Sequence, residues 1–238
     1  HKVHLPEELI HYKWLRGQNH HDSFWLSGVS GHSVSTFYYP PQAEQNCNQC
    51  HMQRRPAGGG ANFAADYGED GTWTVLDHQF PSANTAIPHL VRHLLDDPDA
   101  AIEAHRAFTE DSLRLDVFAL RRGGAIDGQL VAPLGPGATE LVPGETYLMD
   151  VVIRTLTLGH HFTQGTADSN QIWLDVEVLD GDRVIGRSGG MDERRRVDPW
   201  SHFVNAFVID RRGHRINRRN AEDIFVPLYD NQIPPGAA

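Results

Sequence analysis

Leu113-Arg114-Leu115-Asp116-Val117-Phe118-Ala119-Leu120 places Leu113, Leu115, Val117 and Ala119 on one side and their neighbours on the other, a period of two. Side chains alternate across a pleated strand in this way, so the stretch predicts a β-strand. From here onward the same signal recurs, in Tyr147-Leu148-Met149-Asp150-Val151-Val152-Ile153 and in Ile172-Trp173-Leu174-Asp175-Val176-Glu177-Val178. The latter is joined to Arg183-Val184-Ile185-Gly186 through Leu179-Asp180-Gly181-Asp182, whose Asp-Gly pair favours a tight hairpin turn. A second hairpin is expected where Phe203-Val204-Asn205-Ala206-Phe207-Val208-Ile209 turns at Arg211-Arg212-Gly213 into His214-Arg215-Ile216. Several short strands joined by Pro- and Gly-rich turns predict an antiparallel, Ig-like β-sandwich over residues 109–238.

Upstream the pattern is different. Ile87, Leu90, Val91, Leu94 and Leu95, then Ala100, Ile102, Ala104 and Phe108, fall near helical spacing, and Asp96-Asp97-Pro98 interrupts them, so two short helices are expected. Pro6-Glu7-Glu8-Leu9-Ile10 is also helix-compatible, whereas Gly58-Gly59-Gly60 and Asp66-Tyr67-Gly68-Glu69-Asp70-Gly71 read as surface loops. Regular strands are hard to find there. The expected fold class is therefore α+β, with a loop- and helix-rich region over 1–108 followed by the β-sandwich domain. A loop-rich region of this kind needs something besides its own secondary structure to order it.

The 238 residues are 39% hydrophobic, with 31 acidic against 21 basic side chains and a formal net charge of −10, so composition gives no reason to expect nucleic acid as a partner. No stretch approaches the run of ~20 apolar residues that a membrane-spanning helix needs. The chain starts at His1 and lacks a basic-then-apolar leader pattern, which is read as a processed protein or a piece of a longer one. Histidine is abundant, at 15 residues. The 2 cysteines both lie in one five-residue window, which excludes a disulfide framework and assigns them to local chemistry.

That window is Cys47-Asn48-Gln49-Cys50-His51. Each fixed position has a chemical reason: two thiols at this spacing can each add to a haem vinyl group, and the adjacent imidazole can ligate the iron. A covalently held porphyrin would also supply the large apolar body around which a loop-rich segment can order. Three other readings are weighed against it. Structural zinc needs four ligands and no second Cys or His pair stands at motif spacing. A thioredoxin-like pair belongs at a helix start after a strand, and neither Pro40-Pro41-Gln42-Ala43-Glu44-Gln45-Asn46 nor Met52-Gln53-Arg54-Arg55-Pro56 provides that context. The remaining alternative is a chance match.

Cys47-Asn48-Gln49-Cys50-His51-Met52, Asp77-His78-Gln79-Phe80-Pro81 and Gly159-His160-His161-Phe162-Thr163-Gln164-Gly165 together resemble segments of the bacterial multihaem c-type cytochromes. The second is similar to the Asp/Arg-His-x-Phe stretch that often supplies a distal histidine in that family. The third resembles a Gly-His-x-Phe-Pro-Thr-Gly stretch of its β-rich part, with Thr163-Gln164 in place of Pro-Thr. Ser188-Gly189-Gly190-Met191-Asp192, Asp198-Pro199 and Asn231-Gln232-Ile233-Pro234-Pro235-Gly236 are similar to the family's C-terminal part. The chain departs from it in number, holding one CxxCH where several are usual. The resemblance implies haem c as cofactor, a periplasmic or extracellular location, and other cytochrome chains or redox proteins as partners in a larger assembly that carries the further haems.

Electron transfer calls for two strong axial ligands, which keep the iron geometry alike in both oxidation states. His51 is the expected proximal ligand. His78 is the first choice for the distal position and, with His51, completes the expected metal ligands. His32, in Ser30-Gly31-His32-Ser33-Val34, is the runner-up, and Met52 is a poor choice because it starts beside the proximal ligand. Rings of adjacent histidines in extended chain point to opposite sides, so only one of His20-His21 and one of His160-His161 would ligate one iron; His160 is the better placed by resemblance, for a haem held elsewhere in the assembly. Phe37-Tyr38-Tyr39 would suit a pocket wall, and Arg54-Arg55 or Arg194-Arg195-Arg196 would suit the propionates. No calcium-loop or glycosidase pattern supports the acidic pairs Asp96-Asp97 and Glu110-Asp111. The expected function is electron transfer rather than catalysis, with two alternatives: a multihaem oxidoreductase subunit acting on a small nitrogen or sulfur compound, and a β-sandwich interaction module whose CxxCH is incidental.

Overall fold

The computed structural model describes residues 20–34, 43–58, 64–67, 69–135, 140–163, 169–217, 220 and 223–236. The helix-compatible Pro6–Ile10 stretch, the aromatic run Phe37-Tyr38-Tyr39, Gly59, Gly60, Gly68 and the Gln164-Gly165 pair lie outside them. The protein mixes a few helices with mostly antiparallel strands, and among the described residues these strands form four small sheets of two or three strands. The chain divides into two compact units, Gly28–Leu113 and Arg114–Ala238, the second also taking in the residues up to Ser27.

In the Gly28–Leu113 unit the described elements are α2 (Cys47–His51), β1 (Arg54–Pro56), β2 (Thr74–Leu76), α3 (Ala86–Leu90), a 3₁₀ turn at Arg92–Leu94 and α4 (Pro98–Thr109); α1 (His20–Trp25) belongs to the other unit. The two helices predicted around Asp96-Asp97-Pro98 are α3 with its 3₁₀ extension and α4. α4 starts at that break because the Asp97 carboxylate accepts the Ala100 N–H at 2.9 Å and Pro98 occupies the first turn, where a missing N–H is harmless. β1 and β2, by contrast, were not foreseen. They pair antiparallel in the register Arg54↔Leu76, Arg55↔Val75 and Pro56↔Thr74. Three residues are too few for an alternation to show in sequence.

The second unit carries β3 (Leu113–Arg122), β4 (Leu130–Val131) and β5 (Tyr147–Thr155) in the order β4-β3-β5; a hairpin of β6 (Val176–Asp180) and β7 (Arg183–Ser188); and β8 (Ala206–Ile209), β9 (Arg215–Ile216) and β10 (Val226–Asp230) in the order β10-β8-β9. Gly181, at φ 59°, takes the left-handed conformation that the two-residue turn between β6 and β7 requires. β8 shows why alternation works here: Ala206 and Val208 are fully buried, while Phe207 on the other face carries the Arg215 guanidinium 4.0 Å from its ring centroid. Val204, Ile216, Ile224 and Ala119 are further buried apolar side chains of this unit. The predicted strand over 172–178 is shorter than its pattern, since regular pairing begins at Val176 and Trp173 forms only an isolated bridge with Phe203. Its indole N–H instead donates to the Gly189 carbonyl at 2.9 Å.

Candidate functional site

The CxxCH run is one short helix because its flanks cap it. Asn46 Oδ1 accepts the Asn48 N–H at 3.0 Å, and Gln49 Oε1 reaches back to the Asn46 N–H at 3.1 Å, a reciprocal capping box that satisfies donors a five-residue helix leaves unmatched. Residues three and four apart share a helix face. Cys47, Cys50 and His51 therefore lie on one side of α2, and both cysteines are free and exposed. Asn48 and Gln49 lie elsewhere on the helix and, with Met52 just past its end, line an open groove of about 500 Å³ with Glu44, Asn46, Arg54, Tyr67 and Leu76.

The chain then returns to this helix. Pairing of β1 with β2 continues as the Asp77 N–H donates to the Gln53 carbonyl at 2.9 Å, and Arg55 forms an ion pair with Asp77 at 2.6 Å. Asp77 Oδ1 accepts the Gln79 N–H at 2.9 Å, turning the chain so that Phe80 meets His51. Phe80 sits at φ 49°, a left-handed conformation that costs a non-glycine residue on the order of 1 kcal/mol. In that conformation its ring stacks on His51, with centroids 4.5 Å apart and planes 8° from parallel, while Phe108 of α4 approaches the same imidazole at 5.0 Å.

His51 Nδ1 lies 2.9 Å from the Pro81 carbonyl oxygen. A carbonyl only accepts, so Nδ1 carries the proton and the imidazole lone pair is on Nε2. This is the tautomer in which Nε2 can bind a metal, with orientation fixed by the second-sphere hydrogen bond and by two aromatic rings. His78 shows the same tautomer, since its Nδ1 lies 2.9 Å from the Leu76 carbonyl; its side chain is exposed. Two of the three motif segments thus come together, Cys47–His51 and Asp77–Pro81.

The other sequence-selected residues have other surroundings. His32 is exposed, and its backbone N–H donates to Ser30 Oγ at 3.3 Å. His160 belongs to the second unit, where its Nδ1 lies 3.0 Å from the His161 carbonyl and its ring meets that of His20 edge-on at 6.2 Å. Burial pushes the pKa of His161 down, against the pull of Asp230. Arg54 lies over the Tyr67 ring at 5.2 Å, Arg55 is paired with Asp77, and Arg196 bridges to Asp192 at 2.8 Å.

Cys50 keeps surface in contact with solvent, yet the protein around its sulfur desolvates the thiolate. That desolvation, with Glu44 and Cys47 nearby, raises its pKa. No three His, Cys, Asp or Glu side chains gather into a metal-holding group among the described residues.

Comparison with family models, curated proteins and solved structures finds no match.

The local chemistry can still be tested against a haem c. The donor set fits: two reduced thiols and an imidazole of the required tautomer share one helix face, and a porphyrin brings four nitrogen ligands of its own, so no protein cluster of three is needed. The surrounding unit fits as well. Its buried side chains among the described residues include only one large apolar one, Val29, beside Pro88, Ser30 and His105. Trp73, Ile87, Leu90 and Leu94 are 62%, 58%, 71% and 73% exposed. The sequence reading missed Pro81 as hydrogen-bond acceptor, and it left Phe108 and His105 without a role. Ile102, His105 and Phe108 recur at helical spacing in α4, a signal that His105 faces inward with them.

Proposed function

We propose that the protein is a c-type cytochrome, or a subunit of one, that carries electrons through covalently bound haem to neighbouring haems or redox partners. The observation that carries this reading is the geometry of His51, whose Nδ1–H is held by the Pro81 carbonyl at 2.9 Å and whose ring is stacked on Phe80, beside two exposed thiols on the same helix face. Cys47 and Cys50 would hold the group as thioethers and His51 would ligate it through Nε2. When bound, haem c supplies a one-electron ferric/ferrous couple. The chain's part is to fix the imidazole: the hydrogen bond sets the tautomer and raises ligand basicity, and Phe80 and Phe108 limit rotation of the ring. His78, whose Nε2 also carries the lone pair, would be the second iron ligand; His32 ranks behind it, and His160 would serve a haem elsewhere in the assembly.

The resemblance extends the proposal to a periplasmic or extracellular location and to other cytochrome chains as partners. No helix among the described residues is long and apolar enough to cross a membrane. We read the small antiparallel sheets of the second unit as an Ig-like sandwich serving as scaffold or docking surface. The test is intact-mass measurement and a pyridine haemochrome spectrum of the full chain matured in a host competent for haem attachment. One haem per chain, with sharp bands on reduction that carbon monoxide leaves unchanged, is the expected result. A bare polypeptide would overturn haem binding, and a high-spin, carbon monoxide-binding haem would overturn electron transfer.

A further inference from the structure

His105 is the most buried titratable side chain among the described residues of the Gly28–Leu113 unit, at 6% exposure, on the helix that also carries Phe108 to His51. Its Nδ1 lies 2.9 Å from the Ser82 backbone nitrogen and 2.8 Å from the Ser82 carbonyl oxygen. One nitrogen cannot both accept from the first and donate to the second. The neighbouring bonds decide between them. The Ser82 carbonyl already accepts the Asn84 N–H at 2.7 Å, whereas the Ser82 N–H is directed at His105. Backbone groups away from water are nearly always paired, so the arrangement that satisfies both has the His105 lone pair on Nδ1, accepting, and its proton on Nε2.

The Ser82 N–H belongs to the same peptide group as the Pro81 carbonyl. That single amide therefore accepts from His51 Nδ1–H at its oxygen and donates to His105 Nδ1 at its nitrogen. The two bonds reinforce each other, because drawing on the N–H increases negative charge on the carbonyl oxygen, which then accepts more strongly. Gln79 Nε2, donating to the Ala101 carbonyl at 3.3 Å, ties the same loop to α4 one turn away.

We propose that His105 is a positioning residue for the proximal ligand: through the Pro81–Ser82 peptide it strengthens the hydrogen bond on His51, increases the imidazole's electron donation and holds the reduction potential down. The inference rests on the haem reading above, and its sign follows from the general effect of second-sphere hydrogen bonds, which make the ligand more basic and so favour the more positively charged ferric iron.

Two variants separate the bond from the bulk. His105→Asn places an amide oxygen near the position of Nδ1 and keeps an acceptor for the Ser82 N–H; His105→Leu keeps the apolar volume and removes the acceptor. In the haem-loaded full chain, redox titration should give a more positive potential for H105L than for wild type, with H105N close to wild type. Equal potentials in wild type and H105L, each with a low-spin spectrum, would overturn the proposal. A second readout does not depend on haem or on how H105L folds. In the full wild-type chain with ¹⁵N-labelled histidine, made without haem, His51 should be protonated at Nδ1 and His105 at Nε2. The same tautomer at both residues would overturn the relay, while a chain that attaches no haem yet shows the opposed tautomers would overturn only the cytochrome reading.

Discussion

The two compact units bury different things. Among their described residues, Arg114–Ala238 sequesters Val204, Ala206, Val208, Ile216 and Ile224 from water, whereas Gly28–Leu113 buries one such residue, Val29; both present large apolar side chains to solvent, Trp73 and Leu94 in one and Trp200 and Leu228 in the other. Burial of apolar area is the main favourable term in folding, at about 25 cal/mol per Å². The first unit instead shows a dense set of directed contacts around one imidazole, including a strained Phe80. A β-rich unit with an internal core can be rebuilt by any residues of suitable shape. A unit organised around His51 depends on a few specific groups, which is the pattern expected where a protein orders itself around a cofactor.

The contrast can be broken most directly at the thiols. Cys47→Ser with Cys50→Ser should abolish covalent haem in intact-mass measurement and lower the stability of Gly28–Leu113, read as faster hydrogen exchange from a unit that still folds. Unchanged exchange in that unit would show that it is ordered without the cofactor. In the β-rich unit the expected loss is smaller and of another origin. Ile224→Ala, at a fully buried site, should cost roughly 2–5 kcal/mol through lost burial and the cavity left behind, read from denaturant unfolding; a cost well under 1 kcal/mol would mean that this core is not well packed.

The smallest effect sharpens the comparison through pH. Desolvation depresses the His161 pKa, so the unfolded chain binds its proton more readily than the folded one. Stability from this group is present above the unfolded value of about 6.5 and is lost as pH falls toward the lower folded value. His161→Gln should therefore flatten the stability profile of the β-rich unit between about pH 7 and 5. An identical slope in the variant would remove His161 as its cause.

Reading the sequence worked best where one physical signal spans many residues. The alternation at Leu113–Leu120, the Asp180-Gly181 turn and the helix break at Asp97-Pro98 all depend on near neighbours, and each corresponds to an observed element. Less was legible where partners are distant in sequence. β1 and β2 were missed because each is three residues long and stabilised by pairing, and four small sheets rather than one continuous alternation carry the strands. At the site, Cys47, Cys50 and His51 were picked out by residue type and spacing and His78 by resemblance, but His105 carried no motif and its part emerged only from the Ser82 backbone.

The sequence by itself determined the spacing of two thiols and an imidazole, and it supplied Asn46 and Gln49, whose side chains cap the short helix that puts those three groups on one face. Only the tertiary structure decided which nitrogen of His51 carries the proton. That choice belongs to a carbonyl thirty residues away in sequence, brought within 2.9 Å by strand pairing and by the turn at Asp77.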